Sequence, residues 1–339
     1  MKIGVAALLF VFLSVAVFGA AQQPAPPPQQ AAPQNGSKDG PKTDGAQKSD
    51  IIVISNLVNV LFTVTDKKGR LIPGLKQDDF RVFENGILQS VSGFSSEPDP
   101  PLSIALLIDT SGSIRDKLKF EQDAAGDFFQ YTLIRRKDKG TVISFDSGVD
   151  LLTREFTDDP GELREALLKV RAGGGTSMFD AVYLAVKGDD HWKGLAGEQG
   201  RRVIVLISDG DDNFSRTKLP EVLETLQLSD VVVYAISTNS NFFLGAATPN
   251  DGDKNLRKLA DETGGQVFLP EREKDLLESF DRIKQDLRSL YTIGYKPSNE
   301  VADGTFRKIR IDVTGKKDYK DFRVNHRKGY YAPNSASDN

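Results

Sequence analysis

The sequence predicts an α/β fold: a doubly wound, mostly parallel six-stranded sheet flanked by helices, with an accessory antiparallel β module built from segments on both sides of it. Three observations predict this. Runs rich in Val, Ile and Leu at 102–108, 202–207 and 230–236 read as strands buried on both faces. Helical apolar spacing fills much of the chain between such runs, the alternation that a parallel sheet requires. Outside residues 98–290 the pattern changes to short segments of alternating apolar and polar residues, as in antiparallel strands with one buried face.

Taken in order, Met1-Lys2, the apolar stretch Ile3 to Phe18 and the small residues Gly19-Ala20-Ala21 have the layout of a Sec-type signal peptide over residues 1–21. An uncleaved N-terminal membrane anchor is the alternative, for which the stretch is a little short. Residues 22–50 are rich in Pro, Gln and Ala and lack apolar periodicity, so they read as a disordered linker. From 51 to 97 come extended segments: Val58 to Thr65, then Asp79 to Glu84 breaking at Asn85-Gly86, a hairpin signal, then Gln89 to Phe94. Pro98, Pro100 and Pro101 mark a boundary.

Beyond it, Leu102 to Ile108 is the first strand of the α/β domain. Asp116 to Ile134 follows as a helix with Leu118, Ala125, Phe128 and Thr132 on one face. Gly140 to Phe145 is a strand, with Val149 to Leu152 as a short edge strand after a turn. Helices at 162–170 and 177–187 flank a glycine-rich loop. Strands at 202–207, 230–236 and 266–269 complete the sheet. The last helix, 273–290, sets Leu276, Phe280, Ile283, Leu287 and Leu290 at amphipathic spacing. Residues 291–333 return to alternating β segments that can complete the first β module, and 334–339 is a tail.

Composition removes several chemistries. The 339 residues include no cysteine, so disulfides, thiol nucleophiles, thiolate zinc sites and iron–sulfur clusters are excluded. The two histidines, His191 and His326, have charged neighbours and read as surface residues, leaving little basis for a Ser–His–Asp triad. A net charge of −4 offers no global basic field for nucleic acid. After residue 21 no run approaches a membrane span.

The chemistry concentrates in three loops at strand ends, where open parallel sheets place their ligands. Asp109-Thr110-Ser111-Gly112-Ser113 leaves the first strand with a carboxylate and two hydroxyls at alternate positions. Gly173-Gly174-Gly175-Thr176-Ser177 opens the helix containing Asp180, and Ser208-Asp209-Gly210-Asp211-Asp212 follows the strand ending at Ile207. Asp109 and Asp209 both come just past buried strands, so a parallel sheet puts both carboxylates on one edge. Small oxygen ligands around one point suit a hard divalent cation such as Mg²⁺, which keeps some of its waters. Singly, each loop has a plainer reading: Asp109 and Ser111 as a helix cap, Asp209-Gly210 as a turn, the glycines as a connector. Asp180 equally suits a helix N-terminus, and Asp211 and Asp212 read as a solvated acidic loop.

The three motifs, in this order, resemble the von Willebrand factor type A (VWA) domain with its metal-ion-dependent adhesion site, over about residues 100–290. A looser likeness, carried by Asp-Asp-Phe-x-Val-x-Glu at 78–84 and Gly-Tyr-Tyr at 329–331, links the chain to a family of secreted acidobacterial VWA-domain proteins. The resemblance implies a Mg²⁺ (or Mn²⁺ or Ca²⁺) held by Ser111, Ser113 and Thr176, with Asp109 and Asp209 acting partly through water. It implies an open coordination position for an Asp or Glu carboxylate of a partner protein, hence a binding module rather than an enzyme, secreted or held in the periplasm or cell envelope. Two other readings stay open. One is a Mg²⁺-dependent phosphoryl-transfer enzyme of haloacid dehalogenase type with Asp109 as nucleophile, although Ser111 stands where the second acid belongs. The other is a structural envelope component with an idle metal site.

Overall fold

The computed structural model describes residues 57–96, 99–239, 251–289, 291–314 and 321–334, without the side chains of Ser113 and Glu273. The expected signal peptide and linker, 1–50, and all but the first residue of the tail lie outside the described residues.

Two extended regions precede the α/β domain: β1 (Val58–Thr65), then β2 (Phe80–Glu84), β3 (Ile87–Gln89) and β4 (Val91–Ser95). The α/β domain runs β5 (Leu102–Asp109), α1 (Leu118–Thr132), β6 (Lys139–Phe145), β7 (Val149–Leu151), α2 (Pro160–Leu168), α3 (Met178–Lys187), β8 (Arg201–Ser208), α4 (Leu219–Leu228), β9 (Val231–Ser237), α5 (Asp251–Thr263), β10 (Val267–Phe268) and α6 (Glu273–Arg288). Its sheet has six strands in the order β10-β9-β8-β5-β6-β7. All pair in parallel except β7, which turns back along β6 with Ile143 opposite Leu151.

Strand β5 sits inside the sheet and every one of its residues is buried. Its side chains alternate between two cores. Ile104, Leu106 and Ile108 pack with α1, α2 and α6 on one face, whereas Ala105 and Leu107 pack with α3, α4 and α5 on the other. Two of these helices, α4 and α5, have no counterpart in the sequence-based expectation. In α5 a narrow stripe of Leu256, Leu259, Ala260 and Thr263 is buried within an otherwise charged segment, DGDKNLRKLADET. That stripe is too thin to stand out from its polar surroundings.

After α6 come β11 (Tyr291–Tyr295), β12 (Phe306–Val313), β13 (Arg323–His326) and β14 (Gly329–Tyr331). With β1–β4 they form two four-stranded antiparallel sheets, β13-β1-β11-β4 and β14-β12-β2-β3. Neither half of the chain holds enough strands for a sandwich; together they enclose one core, with Val60, Phe62, Val82, Ile293, Tyr295 and Ile311 among its members. Strand β11 lies between β1 and β4, so a late strand is the centre of an early sheet. A buried polar cluster crosses this core. Glu84 accepts hydrogen bonds from Tyr295 (2.9 Å) and Tyr330 (2.8 Å) and pairs with Arg307 at 3.5 Å.

His326 is corrected by the structure. Far from being a surface residue, it is 5% exposed and ends β13. Its Nε2 accepts the Ile311 N–H at 3.3 Å, and its Nδ1 lies 2.6 Å from the Arg327 carbonyl. The charged flanks misled because neighbouring side chains in a strand point to opposite faces. Arg327 reaches out to Asp230 (2.9 Å) while the imidazole points in. His191, by contrast, is exposed.

Candidate metal centre at the sheet edge

The first two loops are tied together through backbone. Thr110 N–H donates to the Phe145 carbonyl at the end of β6 (2.8 Å), and Gly173 N–H donates back to the Thr110 carbonyl (2.7 Å). Gly112 N–H reaches the Gly174 carbonyl at 3.4 Å, while Gly175 N–H is held by the Ser147 hydroxyl at 2.7 Å. The glycine-rich run is thus laid directly against the Asp109–Ser113 turn. The third loop joins it from the far side: Asn213 Oδ1 accepts the Thr176 N–H (2.9 Å), and the Asn213 and Phe214 N–H groups donate to the Thr176 carbonyl (3.1 and 3.0 Å).

Asp109 lies in the middle. Its side chain is fully buried; Oδ1 accepts the Ser111 N–H at 2.9 Å and Oδ2 accepts the Ser208 hydroxyl at 2.7 Å. Register puts Ile108 beside Ile207, so Asp109 stands next to Ser208 and Asp209 comes one residue further along the same edge. Asp209 Oδ1 accepts the Asp211 N–H at 3.1 Å, and Gly210 N–H returns to the Ser208 hydroxyl at 3.0 Å. The tight turn needs glycine, since Gly210 has φ +82° and an added Cβ would lie 2.2 Å from the Gly252 carbonyl oxygen. Ser111 and Thr176 are nearly buried, at 5% and 4% exposure. The Ser113 side chain falls outside the described residues.

Acids predominate here, with the Lys117 ammonium opposing them from just before α1. Burial pushes Asp109 up to about 6, the hydrogen bonds from Ser111 and Ser208 opposing it and the charge of Asp209 adding to it. A third acid, Glu121 on α1, is 2% exposed, and burial together with the Asp109 charge pushes it up to about 8. One of its carboxyl oxygens has no hydrogen-bond partner. The sequence offered a sign of it: a glutamate on the same helical face as Leu118 and Ala125. Acids whose charged forms are penalised by burial and by one another are a setting that a further cation relieves.

The acidic residues beyond Asp209 divide. Asp212, expected in a solvated loop, instead accepts the Phe179 N–H (3.1 Å) and the Ser215 hydroxyl. It is a loop staple, as is Asp180, which accepts the Arg216 and Thr217 N–H groups at 3.0 and 2.9 Å. Asp211 is exposed. Among the described residues no three His, Asp or Glu side chains gather closely enough to hold a metal by themselves, and the side chains of Asp109, Ser111, Thr176 and Asp209 offer only oxygen atoms. That is an all-oxygen set, and it fits a hard cation such as Mg²⁺ or Ca²⁺ rather than a soft one.

Residues 104–211, spanning β5 through the Asp209 loop, match the family model for the von Willebrand factor type A domain. The chain carries a VWA domain. Among known proteins, the Escherichia coli (strain K12) protein YehP is 29% identical over 134 residues, 40% of this chain and 32% of that one. The chain therefore matches about a third of that relative's length. Among solved structures, a von Willebrand factor type A protein from Catenulispora acidiphila superposes with a TM-score of 0.47 at 13% identity, covering 84% of this chain and 76% of that one. Proximal thread matrix protein 1 from the mussel byssus, solved with a zinc-occupied MIDAS motif, gives 0.45 at 16% identity, over 60% of this chain and 49% of that one.

Proposed function

We propose that this sheet edge of the VWA domain is a metal-ion-dependent adhesion site that docks a partner protein through a divalent cation. Asp109, Ser111, Thr176 and Asp209 would hold the ion, with Ser113 completing the Asp-x-Ser-x-Ser turn. Mg²⁺ is the first expectation, and Mn²⁺ or Ca²⁺ could take its place. The observation that carries this reading is the setting of Asp109: a fully buried carboxylate, held by Ser111 and Ser208, that feels the charge of Asp209 and whose own charge pushes Glu121 on α1 up. Burying like charges together is costly unless a counter-charge is present. When bound, the cation supplies a positive centre that attracts an external carboxylate, because its hydroxyl ligands leave much of its charge uncancelled. The protein's own groups orient and shield that centre: Ser208 and the Ser111 amide fix Asp109, and Asn213 fixes the Thr176 backbone.

The arrangement favours binding over turnover. The chain has no cysteine, and of its two histidines one is buried in the sandwich core and the other is in an exposed loop. The expected partner is a protein presenting an Asp or Glu side chain. The apolar stretch at 3–18 supports placement of the domain outside the cytoplasm. No helix of the described residues is long and apolar enough to cross a membrane.

Thermal melting with Mg²⁺, Mn²⁺ or EDTA tests the site, comparing the natural chain with Asp109→Ala and Thr176→Ala. Ligand at about 100 times its Kd stabilises by roughly 2.7 kcal/mol. The metals should therefore raise the Tm of the natural chain by several degrees and leave both variants almost unmoved. Equal shifts in all three proteins would remove the site.

A further inference from the structure

Phe214 is an apolar side chain that the fold leaves 57% exposed. It belongs to none of the three hydrophobic cores of the described residues. Ten large hydrophobic side chains are exposed among those residues, and Phe214 is the one located in the three strand-end loops.

The backbone that carries it is held by hydrogen bonds on both sides of the residue. The Phe214 N–H donates to the Thr176 carbonyl, Asn213 grips Thr176 from both its amide and its side chain, and Asp212 and Asp180 staple the flanking residues Ser215, Arg216 and Thr217. The ring lies over Gly175: a Cβ added there would come within 2.3 Å of two ring carbons. Glycine at 175 is thus the seat for the ring as well as the approach to Thr176. An exposed aromatic that contributes nothing to a core, yet is held in one place next to a binding centre, has the properties of an interface anchor. It offers apolar area with little conformational entropy left to lose.

The geometry points to Phe214 as a specificity-determining contact: the partner segment whose carboxylate docks at the metal centre places an aromatic or branched aliphatic residue beside that carboxylate, packed on the Phe214 ring. This inference rests on the docking function proposed above. An apolar flank beside the docked carboxylate meets the ring and buries area there, whereas a polar flank gains nothing from it.

The test pans a random-peptide phage library on the immobilised full chain in Mg²⁺ and elutes bound phage with EDTA. The natural chain should return peptides that contain Asp or Glu with Phe, Tyr, Trp, Leu or Ile within two residues. Phe214→Ala should still return acidic peptides but without the apolar flank, and should bind the natural chain's best peptide about ten- to a hundred-fold more weakly. Phe214→Leu should recover part of that loss. The metal-induced Tm shift should be the same in Phe214→Ala, since its backbone N–H still reaches Thr176. Acidic peptides with no flank preference, or the same preference in Phe214→Ala, overturn the role of Phe214 while leaving the docking site standing. No EDTA-eluted enrichment even with the natural chain overturns both.

Discussion

Replacing His326 should change how stability depends on acidity, and the size of the change follows from where the ring sits. Burial holds this imidazole at about 4, against an ordinary value near 6.5; the hydrogen bond to the Arg327 carbonyl and the Asp312 charge oppose the shift, and the Lys328 and Arg327 charges assist it. Between those two values the unfolded chain takes up a proton that the folded chain refuses. Stability contributed by the neutral ring is therefore complete above pH 6.5, declines as pH falls toward 4, and is flat below. With 1.36 kcal/mol per unit, the loss across that window is about 3 kcal/mol. Urea unfolding at intervals from pH 8 to pH 4 measures it, with His326→Gln as the comparison. Glutamine keeps a polar group near the Ile311 N–H but does not titrate there. Other groups, such as Asp109 and Glu121, titrate alike in both proteins and cancel in the difference. The gap between the two curves should narrow by about 3 kcal/mol on acidification. Parallel curves would show that the ring is protonated in the fold as easily as out of it, and that the burial argument is wrong.

Two further outcomes are expected. Glu84→Ala removes the buried carboxylate from Arg307, which keeps the Asn299 and Val301 carbonyls and Asp303 at 3.8 Å, and leaves two tyrosine hydroxyls without their acceptor; it should cost about 2–3 kcal/mol in urea, more than Tyr330→Phe. A loss under 1 kcal/mol would mean that water replaces the carboxylate. Gly210→Ala forces a left-handed backbone on a Cβ residue and drives it into the Gly252 carbonyl, so it should lower the Tm by several degrees and, by shifting Asp209, shrink the stabilisation by Mg²⁺. An unchanged response to Mg²⁺ in that variant would separate Asp209 from the metal.

The α/β domain was legible because its strands are buried on both faces. Ile104 to Ile108 and Val203 to Ile207 face a core on each side, so the chain spells them as continuous apolar runs. The candidate site was legible for a related reason: a strand buried to its last residue fixes where the loop begins, and Asp109 and Asp209 stand at those places. Elements with weak local signals escaped. The ten-residue α4 buries only Val222, Thr225 and Leu226, and β14 is three residues long. Sequence reasoning joined the early and late β segments into one module but could not supply the strand order or register within it. Nothing local tells Val58 that it will face Tyr295, because pairing register is set by the assembled core. Ser208, Asn213 and Glu121 escaped on the same ground, since their roles arise only when the loops meet.

The placement of β11 between β1 and β4 has a consequence for the order of events at the ribosome. Strands β1 and β4 emerge early, yet their sheet lacks the strand between them until Tyr291–Tyr295 has been made, almost two hundred residues after β4. During that interval Val60 and Phe62 have no core to enter. The α/β domain, whose strand pairings all lie within 102–268, can fold meanwhile and bring its two ends into place. Sandwich closure is then the slow, late step, dominated by contacts far apart in sequence. Chains stalled or cut before residue 291 would carry the three strand-end loops of the α/β domain complete, attached to an open, aggregation-prone sheet.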